Sequence, residues 1–200
     1  MPRTIVLAST SRYRRELLSR LGLAFQVASP TTDETPLAGE SPRALVLRLA
    51  EAKAESVAGA MARDCPAALI IGSDQVAVLD NKILGKPGNR EATIRQLTLA
   101  SGQRVTFLTG LCLLDTETYQ AEVDVVPFQV VFRKLDPSQI ANYVARERPF
   151  DCAGGFKSES LGIALFSRME GDDPTALVGL PLIRLVDMLG RRGVDVLAGG

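Results

Sequence analysis

The sequence predicts a mixed α/β fold, and three features of its hydrophobic pattern support that prediction. An apolar strand pattern at 5–8 passes within a few residues into a helical pattern at 14–21, which carries leucines at helical spacing. A nearly continuous apolar run at 67–73 is typical of a strand that is covered on both faces. Two long β-rich segments, 104–115 and 119–133, are joined by a polar turn, so we expect them to pair antiparallel. Long consecutive strands of this kind differ from the strict strand–helix alternation of a βαβ chain.

The remaining elements are predicted from local signals along the chain. Residues 25–28 form a second short strand, and 29–39 form a loop rich in Pro, Thr and Gly. Ser41-Pro42 opens a long helix with proline in its first turn. The later elements, in chain order, are a hairpin at 76–84 that turns at Asp80-Asn81, an exposed turn at 85–88, a helix at 90–100, a helix from Asp136-Pro137 to Arg146, a polar connection at 149–162, a strand at 161–169, a loop at 172–179 and a C-terminal helix to about Arg191.

The composition bounds the class of protein. The 200 residues are 46% hydrophobic, which is ample for the core of one domain spanning 1–200. Lys and Arg together number 23, as do Asp and Glu, and this balance argues against nucleic acid or an anionic membrane as the main partner. The chain has no apolar run near the roughly 20 residues that span a bilayer and no signal-peptide core at its N-terminus, so we expect a cytoplasmic protein.

The cysteine and histidine content narrows the available chemistry. Cys65, Cys112 and Cys152 are scattered and odd in number, which favours structural thiols over a zinc site or a disulfide. The chain contains no histidine, and this excludes Ser-His-Asp and Cys-His catalysis within one chain as well as a histidine-ligated metal. Carboxylates and lysines are left as the reactive groups.

The joint between the first strand and the first helix is a candidate phosphate site. It supplies hydroxyls, free backbone N–H groups at a helix start and a cluster of guanidinium groups, which together suit an anion. These groups belong to Ser9, Thr10, Ser11, Arg12, Arg14 and Arg15. In the alternative interpretation, Ser11 only caps the helix and the arginines lie solvated on its outer face.

Other charged residues are expected in loops or at the ends of elements. Asp74 and Gln75 follow the predicted buried strand, at the end where ligands bind in α/β sheets. Glu34 lies in a loop, Lys86 in a constrained turn and Lys53 on a helix. Carboxylates that hold Mg²⁺ or accept a proton, together with cations that neutralise phosphate charge, are what metal-assisted phosphoryl or nucleotidyl transfer needs. Each of these side chains could instead be simply solvated.

Seven short motifs in order resemble the Maf-like nucleotide pyrophosphatase family. The motifs are LASTSRYRRELL, TDET, LAEAKA, IIGSDQV, GKP, AGGFKSE and GLPL, and together they run along nearly the whole chain. The LAST–SRYRR start departs from the more common serine-proline-arginine-arginine start of the family. Among its subgroups, the sequence is most similar to the bacterial 7-methyl-GTP pyrophosphatases.

This resemblance implies a fold and a reaction. The fold would be an elongated mixed β-sheet flanked by helices, with a nucleotide in a cleft between two lobes. The reaction would be hydrolysis of a nucleoside triphosphate between its α and β phosphates, with a divalent cation such as Mg²⁺, Mn²⁺ or Co²⁺. A homodimer is consistent with the resemblance. The alternatives are a pyrophosphatase for UTP, dTTP or another modified nucleotide, and a nucleotide-binding regulator of cell division without turnover.

The resemblance also implies roles for single residues. Asp74 matches the family's general base and, with Glu34, is taken to hold the metal. Lys53 and Lys86 match lysines that face the triphosphate. The positions that match the phosphate cradle are Ser9, Arg14 and Arg15.

Three further positions are taken to track the choice of base, namely Tyr13, Gln75 and Glu159. N7-methylguanine is cationic, so the Tyr13 ring would gain a cation–π attraction of roughly 0.5 to 2 kcal/mol. A carboxylate at Glu159 can accept hydrogen bonds from guanine N–H groups and would repel the carbonyl oxygens of uracil or thymine. In the alternative interpretation, Tyr13 packs on the helix and Glu159 is solvated.

Overall fold

The computed structural model describes residues 3–61 and 67–198. Within these ranges seven strands form one mixed sheet that is flanked by five α-helices. The strands are β1 (Thr4–Ala8), β2 (Phe25–Ala28), β3 (Ala68–Leu79), β4 (Lys82–Leu84), β5 (Arg104–Asp115), β6 (Gln120–Phe132) and β7 (Phe166–Glu170). The helices are α1 (Arg12–Ser19), α2 (Pro42–Met61), α3 (Arg90–Ala100), α4 (Pro137–Glu147) and α5 (Leu182–Arg191). The described 3₁₀ segments are Ala153–Gly155, Leu161–Leu165 and Pro174–Val178. The predicted mixed α/β fold is confirmed.

The sheet combines a parallel part and an antiparallel part. Its order is β2-β1-β3-β5-β6-β7, with β4 also paired to β3. Strands β1, β2 and β3 run parallel to one another, whereas β5, β6 and β7 form a run of antiparallel pairs that begins at β3. The predicted antiparallel pairing of the two long segments is therefore confirmed.

A gap opens along one edge of β3. Strand β1 pairs with β3 as far as Gly72, and β4 pairs with the same strand only from Ala77 onward. Between these two points, residues 73–76 hydrogen-bond to β5 on the other side and have no strand neighbour on the β1 side among the described residues. The predicted position of Asp74 after the end of the strand is wrong, since Asp74 lies inside β3. The β1-side edge of β3 is nevertheless open at Asp74, because β1 is short.

Two glycines let helix α2 cross the sheet at very close range. A Cβ atom on Gly72 would lie 2.1 Å from the Ala50 carbonyl oxygen, and one on Gly110 would lie 2.1 Å from the Val46 carbonyl oxygen. Real Cβ atoms do not approach backbone oxygens so closely, so both positions require glycine. Because Asp74 pairs directly with Gly110, the close crossing brings the next turn of α2 onto the Asp74 side chain.

The alternation of side chains along β1 and β3 separates two apolar layers. Residues of even number pack against α2, and residues of odd number pack against α1 and α5. The first layer includes Val6, Ala8, Ala68, Ile70, Ala50 and Ala54. The second includes Ile5, Leu7, Leu69, Ile71, Leu17 and Leu185. The same alternation sends Asp74 toward α2, and Ser73 and Gln75 toward the opposite face.

Local signals set most element boundaries. Asp136 forms a capping box with Gln139 at the start of α4, and the Ser11 hydroxyl accepts the Arg14 N–H at the start of α1. Asp80 and Asn81 both have positive φ, 49° and 62°, as a tight hairpin turn requires. Besides the predicted end of β3, the predicted bounds were wrong at α1 and at the last strand. Helix α1 begins at Arg12 instead of residue 14, and the last strand begins at Phe166 because Leu161–Leu165 forms a 3₁₀ segment.

The structure describes two of the three cysteines. Cys112 is buried and Cys152 is half-buried, and neither forms a disulfide; Cys65 lies outside the described residues. Burial raises the pKa of both described thiols to about 12, so they are unreactive near neutral pH.

In the part of the chain that the structure describes, no helix has both the length and the apolar character needed to cross a membrane.

Candidate active site

A cleft of about 670 Å³ lies at the gap in the edge of β3. Ser9 follows the end of β1 and Lys86 follows the end of β4, so the two strand ends on either side of the gap each contribute a polar residue. Nine of the ten predicted site residues line this cleft, and they are Ser9, Tyr13, Arg14, Glu34, Lys53, Asp74, Gln75, Lys86 and Glu159. The fold therefore gathers residues that are far apart in sequence into one site.

Lys53 joins the two predicted metal-binding carboxylates. Its Nζ atom lies 2.6 Å from Glu34 Oε1 and 2.6 Å from Asp74 Oδ1. The side chains of Lys53 and Asp74 are only 7% and 11% exposed, whereas that of Glu34 is 60% exposed. The hydrogen bond from Lys53 lowers the pKa of Glu34. Lys53 is therefore a buried counter-ion at the foot of the cleft and not a helix surface lysine.

The loop that carries Glu34 is closed by a second ion pair. Arg48 of α2 donates from Nε to Glu40 Oε1 at 2.7 Å and from Nη2 to the Thr35 carbonyl oxygen at 3.1 Å. The hydrogen bond from Arg48 lowers the pKa of Glu40 to about 2. Because Arg48 and Lys53 lie on the same helix, α2 fixes both the loop and the carboxylate that it presents.

Ser9 and Arg14 form a compact cationic corner. Arg14 Nε donates to the Gly179 carbonyl oxygen at 2.8 Å, and Nη1 lies 3.5 Å from Ser9 Oγ. Ser9 Oγ also accepts the Ser11 N–H at 3.2 Å, which leaves the serine hydroxyl hydrogen free to donate into the cleft. Burial lowers the pKa of Arg14, and the charges of Asp74 and Glu34 oppose that shift. The corner suits an anion such as phosphate.

Gln75 is held by the segment before α5. Its Nε2 group donates to the Ala176 carbonyl oxygen at 2.6 Å and to Thr109 Oγ1 at 3.0 Å. Because the Thr109 hydroxyl itself donates to Ala176, its oxygen is left to accept from the amide, which fixes the orientation of the Gln75 side chain. Gln75 therefore has its carbonyl oxygen available as an acceptor.

The Tyr13 ring stands at the start of α1 with a cation on one face. The guanidinium of Arg12 lies 4.7 Å from the ring centroid, and its Nη2 donates to the Tyr13 hydroxyl at 2.9 Å. Both residues line the cleft. The sequence predicted Arg12 as part of a cationic cluster and not as the partner of Tyr13, although the adjacent Arg-Tyr pair could have indicated the contact.

Glu159 and Lys86, like Glu34, are exposed members of the site. Glu159 lies in the connection between α4 and the 3₁₀ segment at Leu161, with Ser158 Oγ donating to its Oε2 at 3.2 Å. Neither side chain is held tightly, so both can adjust to a ligand.

Arg15 does not join the site. Its side chain is exposed on α1, and Arg15 is not among the residues that line the cleft. The structure does not support the predicted phosphate contact of Arg15.

The donor set fits a hard divalent cation that keeps several water or phosphate ligands. Glu34 and Asp74 each place one carboxylate oxygen 2.6 Å from Lys53 Nζ, so a divalent cation would bind these carboxylates beside that ammonium. Mg²⁺ typically uses one or two carboxylates plus substrate phosphates. Among residues 3–61 and 67–198, no group of three or more carboxylate or thiolate side chains is assembled as a complete metal cage. Any metal would therefore depend on the ligand to complete its coordination.

Comparison with known proteins identifies close relatives. The family model described as Maf-like protein matches residues 4–192. A 7-methyl-GTP pyrophosphatase of Nitrosococcus oceani is 58% identical over 196 residues, which are 98% of this chain and 96% of the relative. The protein of the same name from Pseudomonas aeruginosa is 58% identical over 96% of this chain and 98% of its own length. The solved structure of the Ham1 protein from Staphylococcus aureus, 14% identical, aligns over 95% of this chain and 100% of its own with a TM-score of 0.54, which shows a shared fold.

Proposed function

Since this chain belongs to the Maf-like protein family, we propose that it is a nucleoside triphosphate pyrophosphatase that hydrolyses 7-methyl-GTP to 7-methyl-GMP and diphosphate. The observation that carries the proposal is the arrangement of the cleft. On the α2 side of the cleft, the buried Lys53 lies between two carboxylates. Elsewhere in the same cleft, Tyr13 supplies an aromatic face, and Gln75 and Glu159 supply two hydrogen-bond acceptors. The names of relatives 58% identical over nearly the full chain support the same reaction.

The chemistry rests on Asp74. Its carboxylate orients a water molecule and takes a proton from it, while the water oxygen forms a bond to the α-phosphorus. The bond between that phosphorus and the oxygen bridging to the β-phosphorus breaks, and diphosphate leaves. Glu34 and Asp74 are the residues that would hold a divalent cation, which when bound would lower the pKa of water and neutralise phosphate charge.

The cations of the cleft hold the triphosphate. Arg14 and the Ser9 hydroxyl bind phosphate oxygens at the end of β1, and Lys86 reaches them from the end of β4. Lys53 holds the Asp74 carboxylate in place through an ion pair of 2.6 Å. Arg15 has no part in this grip because its exposed side chain does not line the cleft.

The cleft selects the nucleobase of the substrate by charge and by hydrogen bonding. The cationic ring of 7-methylguanine stacks on the Tyr13 face that Arg12 leaves open, and Glu159 accepts from the guanine N–H groups. The same carboxylate disfavours the carbonyl oxygens of UTP and dTTP. A cytoplasmic location and a homodimer remain predictions.

A panel of nucleotides tests the proposal. We expect diphosphate release with Mg²⁺ or Mn²⁺ to be fastest for 7-methyl-GTP among 7-methyl-GTP, GTP, UTP and dTTP, and Asp74→Asn to slow it by about 10²-fold or more. Glu159→Gln keeps the shape and removes the charge, so it is expected to reduce the preference for 7-methyl-GTP over UTP. Unchanged turnover in Asp74→Asn would refute the assigned base, and nucleotide binding without diphosphate release would indicate a regulator instead.

A further inference from the structure

A second pocket of about 300 Å³, here called the α4 pocket, lies between α4 and the 3₁₀ segment Leu161–Leu165. It shares no lining residue with the catalytic cleft. Its apolar wall is formed by Leu135, Tyr143, Leu161 and Leu165. Gln139, Asn142, Tyr143 and Arg146 are spaced by three or four residues, so one face of α4 forms the other side.

Three cations surround this apolar wall, namely Arg133, Lys134 and Arg146. All three are exposed, and none forms an ion pair with a described residue. Glu147 follows Arg146 directly, but its Oε1 lies 3.9 Å from Lys157 Nζ. Asp136, two residues from Lys134, accepts the Gln139 N–H at 2.9 Å and the Ser138 hydroxyl at 2.6 Å through its Oδ1, in the cap of α4. The positive charge at the pocket is therefore not neutralised from within its own walls.

We propose that the α4 pocket binds a small organic anion that has an apolar body and one phosphate or carboxylate head. The body lies on the leucine and tyrosine wall, where burial of apolar surface is favourable. The head meets the guanidinium and ammonium groups, and the amides of Gln139 and Asn142 supply further donors. An inorganic ion would leave the apolar wall unused, and a neutral hydrocarbon would leave the cations unused.

The wall of this pocket also holds the segment that carries Glu159. The Tyr143 hydroxyl accepts the Lys157 N–H at 3.1 Å, and Glu147 Oε2 accepts the Leu161 N–H at 3.1 Å. A Cβ atom on Gly162 would lie 2.2 Å from the Lys157 carbonyl oxygen, so the two ends of the segment are packed together. Helix α4 thus grips residues 157–161 at both ends.

Occupancy of the α4 pocket therefore reaches the catalytic cleft through two shared residues. Tyr143 and Leu161 contact the ligand on one side and fix the Glu159 segment on the other. A ligand there shifts the position of Glu159, and hence base selection if the proposed function holds. The phosphate grip at Ser9 and Arg14 is held through Gly179 and is not touched.

The test uses phenyl phosphate as the probe, followed by amide NMR spectra of the ¹⁵N-labelled full chain. Since this readout needs no turnover, it can succeed or fail independently of the proposed reaction. We expect saturable shifts at the amides of Arg146, Leu161 and Ala164, with a further shift at Glu159. Lys134→Gln and Arg146→Gln should each raise the dissociation constant about fivefold, the upper range for a partly exposed ion pair. Arg43→Gln, an exposed arginine of α2, is the matched control and should leave it unchanged.

Two comparisons and one variant complete the design. Inorganic phosphate and phenol should each bind at least about tenfold more weakly than phenyl phosphate, because each lacks one half of the recognised chemistry. In Tyr143→Phe the probe should still bind, and the Glu159 amide should shift less because the hydroxyl link to Lys157 is gone. Shifts confined to residues of the catalytic cleft, or equal binding of phenol, would overturn the site. An unmoved Glu159 amide in the saturated wild-type protein would overturn the coupling.

Discussion

Replacing Lys53 with methionine removes the buried cation between Glu34 and Asp74 and nearly preserves the length and apolar stem of the side chain. Asp74 would then be a buried carboxylate without its ammonium partner at 2.6 Å. Breaking a buried pair by removing one partner costs about 3 to 5 kcal/mol. The Glu34 side chain is 60% exposed, so its ion pair with Lys53 contributes at most about 1 kcal/mol to stability. We therefore expect the free energy of unfolding to fall by about 3 kcal/mol, near the lower end because water can reach the cleft.

Urea unfolding followed by circular dichroism measures this change. For a chain of this size, a loss of about 3 kcal/mol corresponds to a fall of about 6 to 12 °C in the thermal midpoint. Lys86→Met is the matched control, since Lys86 lines the same cleft but is exposed, and it should change stability by no more than about 0.5 kcal/mol.

A double-variant cycle separates the ion pair from the loss of packing. Asparagine at position 74 needs no counter-ion, so Lys53→Met combined with Asp74→Asn should be more stable than the sum of the single changes by about 1 to 3 kcal/mol. Additive effects, together with a Lys53→Met variant as stable as Lys86→Met, would show that Lys53 does not act as the counter-ion of Asp74.

Three further predictions follow from the same geometry. Gly110→Ala should destabilise the fold by about 1 to 3 kcal/mol and lower diphosphate release, because its Cβ would meet the Val46 carbonyl oxygen at 2.1 Å and push α2 away; melting curves and initial rates measure both effects. Arg14→Gln should weaken nucleotide binding at least about tenfold by calorimetry, whereas Arg15→Gln should leave it within about twofold, and equal losses would contradict the assignment of one arginine to the site. The pKa of Glu40 is lowered to about 2, so its pair with Arg48 stabilises the fold above about pH 4.5 and loses this effect as the pH falls toward 2. The difference in urea midpoint between the wild-type protein and Glu40→Gln should accordingly be present at pH 6 and vanish near pH 2; a difference that does not vary with pH would exclude this linkage.

The sequence predicted most elements because their signals are local. The capping residues of α4, the turn at Asp80 and Asn81 and the apolar runs of the central strands each depend on a few neighbouring residues. The position of Asp74 depends on a distant partner. The polar residues 73–75 interrupt the apolar run, yet β3 continues because β5 hydrogen-bonds along its whole length. Hydrophobic pattern alone cannot reveal such a partner, so the strand was predicted to end too early.

The site residues were predicted mainly through resemblance. Two findings differ from what the sequence predicted, namely the ion pairs of Lys53 and the exclusion of Arg15 from the cleft. Lys53 stands four residues from Leu49 and from Val57 in the buried stripe of α2, so helical spacing is consistent with its burial. The sequence does not reveal its partner, because the close crossing of α2 over Gly72 and Gly110 is what puts the ammonium beside Asp74. The exclusion of Arg15, in contrast, has no signal in the sequence, because Arg12, Tyr13 and Arg14 all line the cleft although successive helix residues point about 100° apart.

The two faces of β3 support different residues of the cleft. On the α2 face, Asp74 depends on Lys53 and on the glycines that admit the helix. On the opposite face, the Ser73 hydroxyl donates to the same Gly179 carbonyl oxygen that anchors Arg14, at 2.9 Å. The acid and the phosphate grip are therefore supported by different layers of the protein but meet across one strand. Because adjacent residues of an extended strand point to opposite faces, a strand with an open edge can present both supports to a single ligand. A helix would need a full turn to bring two such groups to one side.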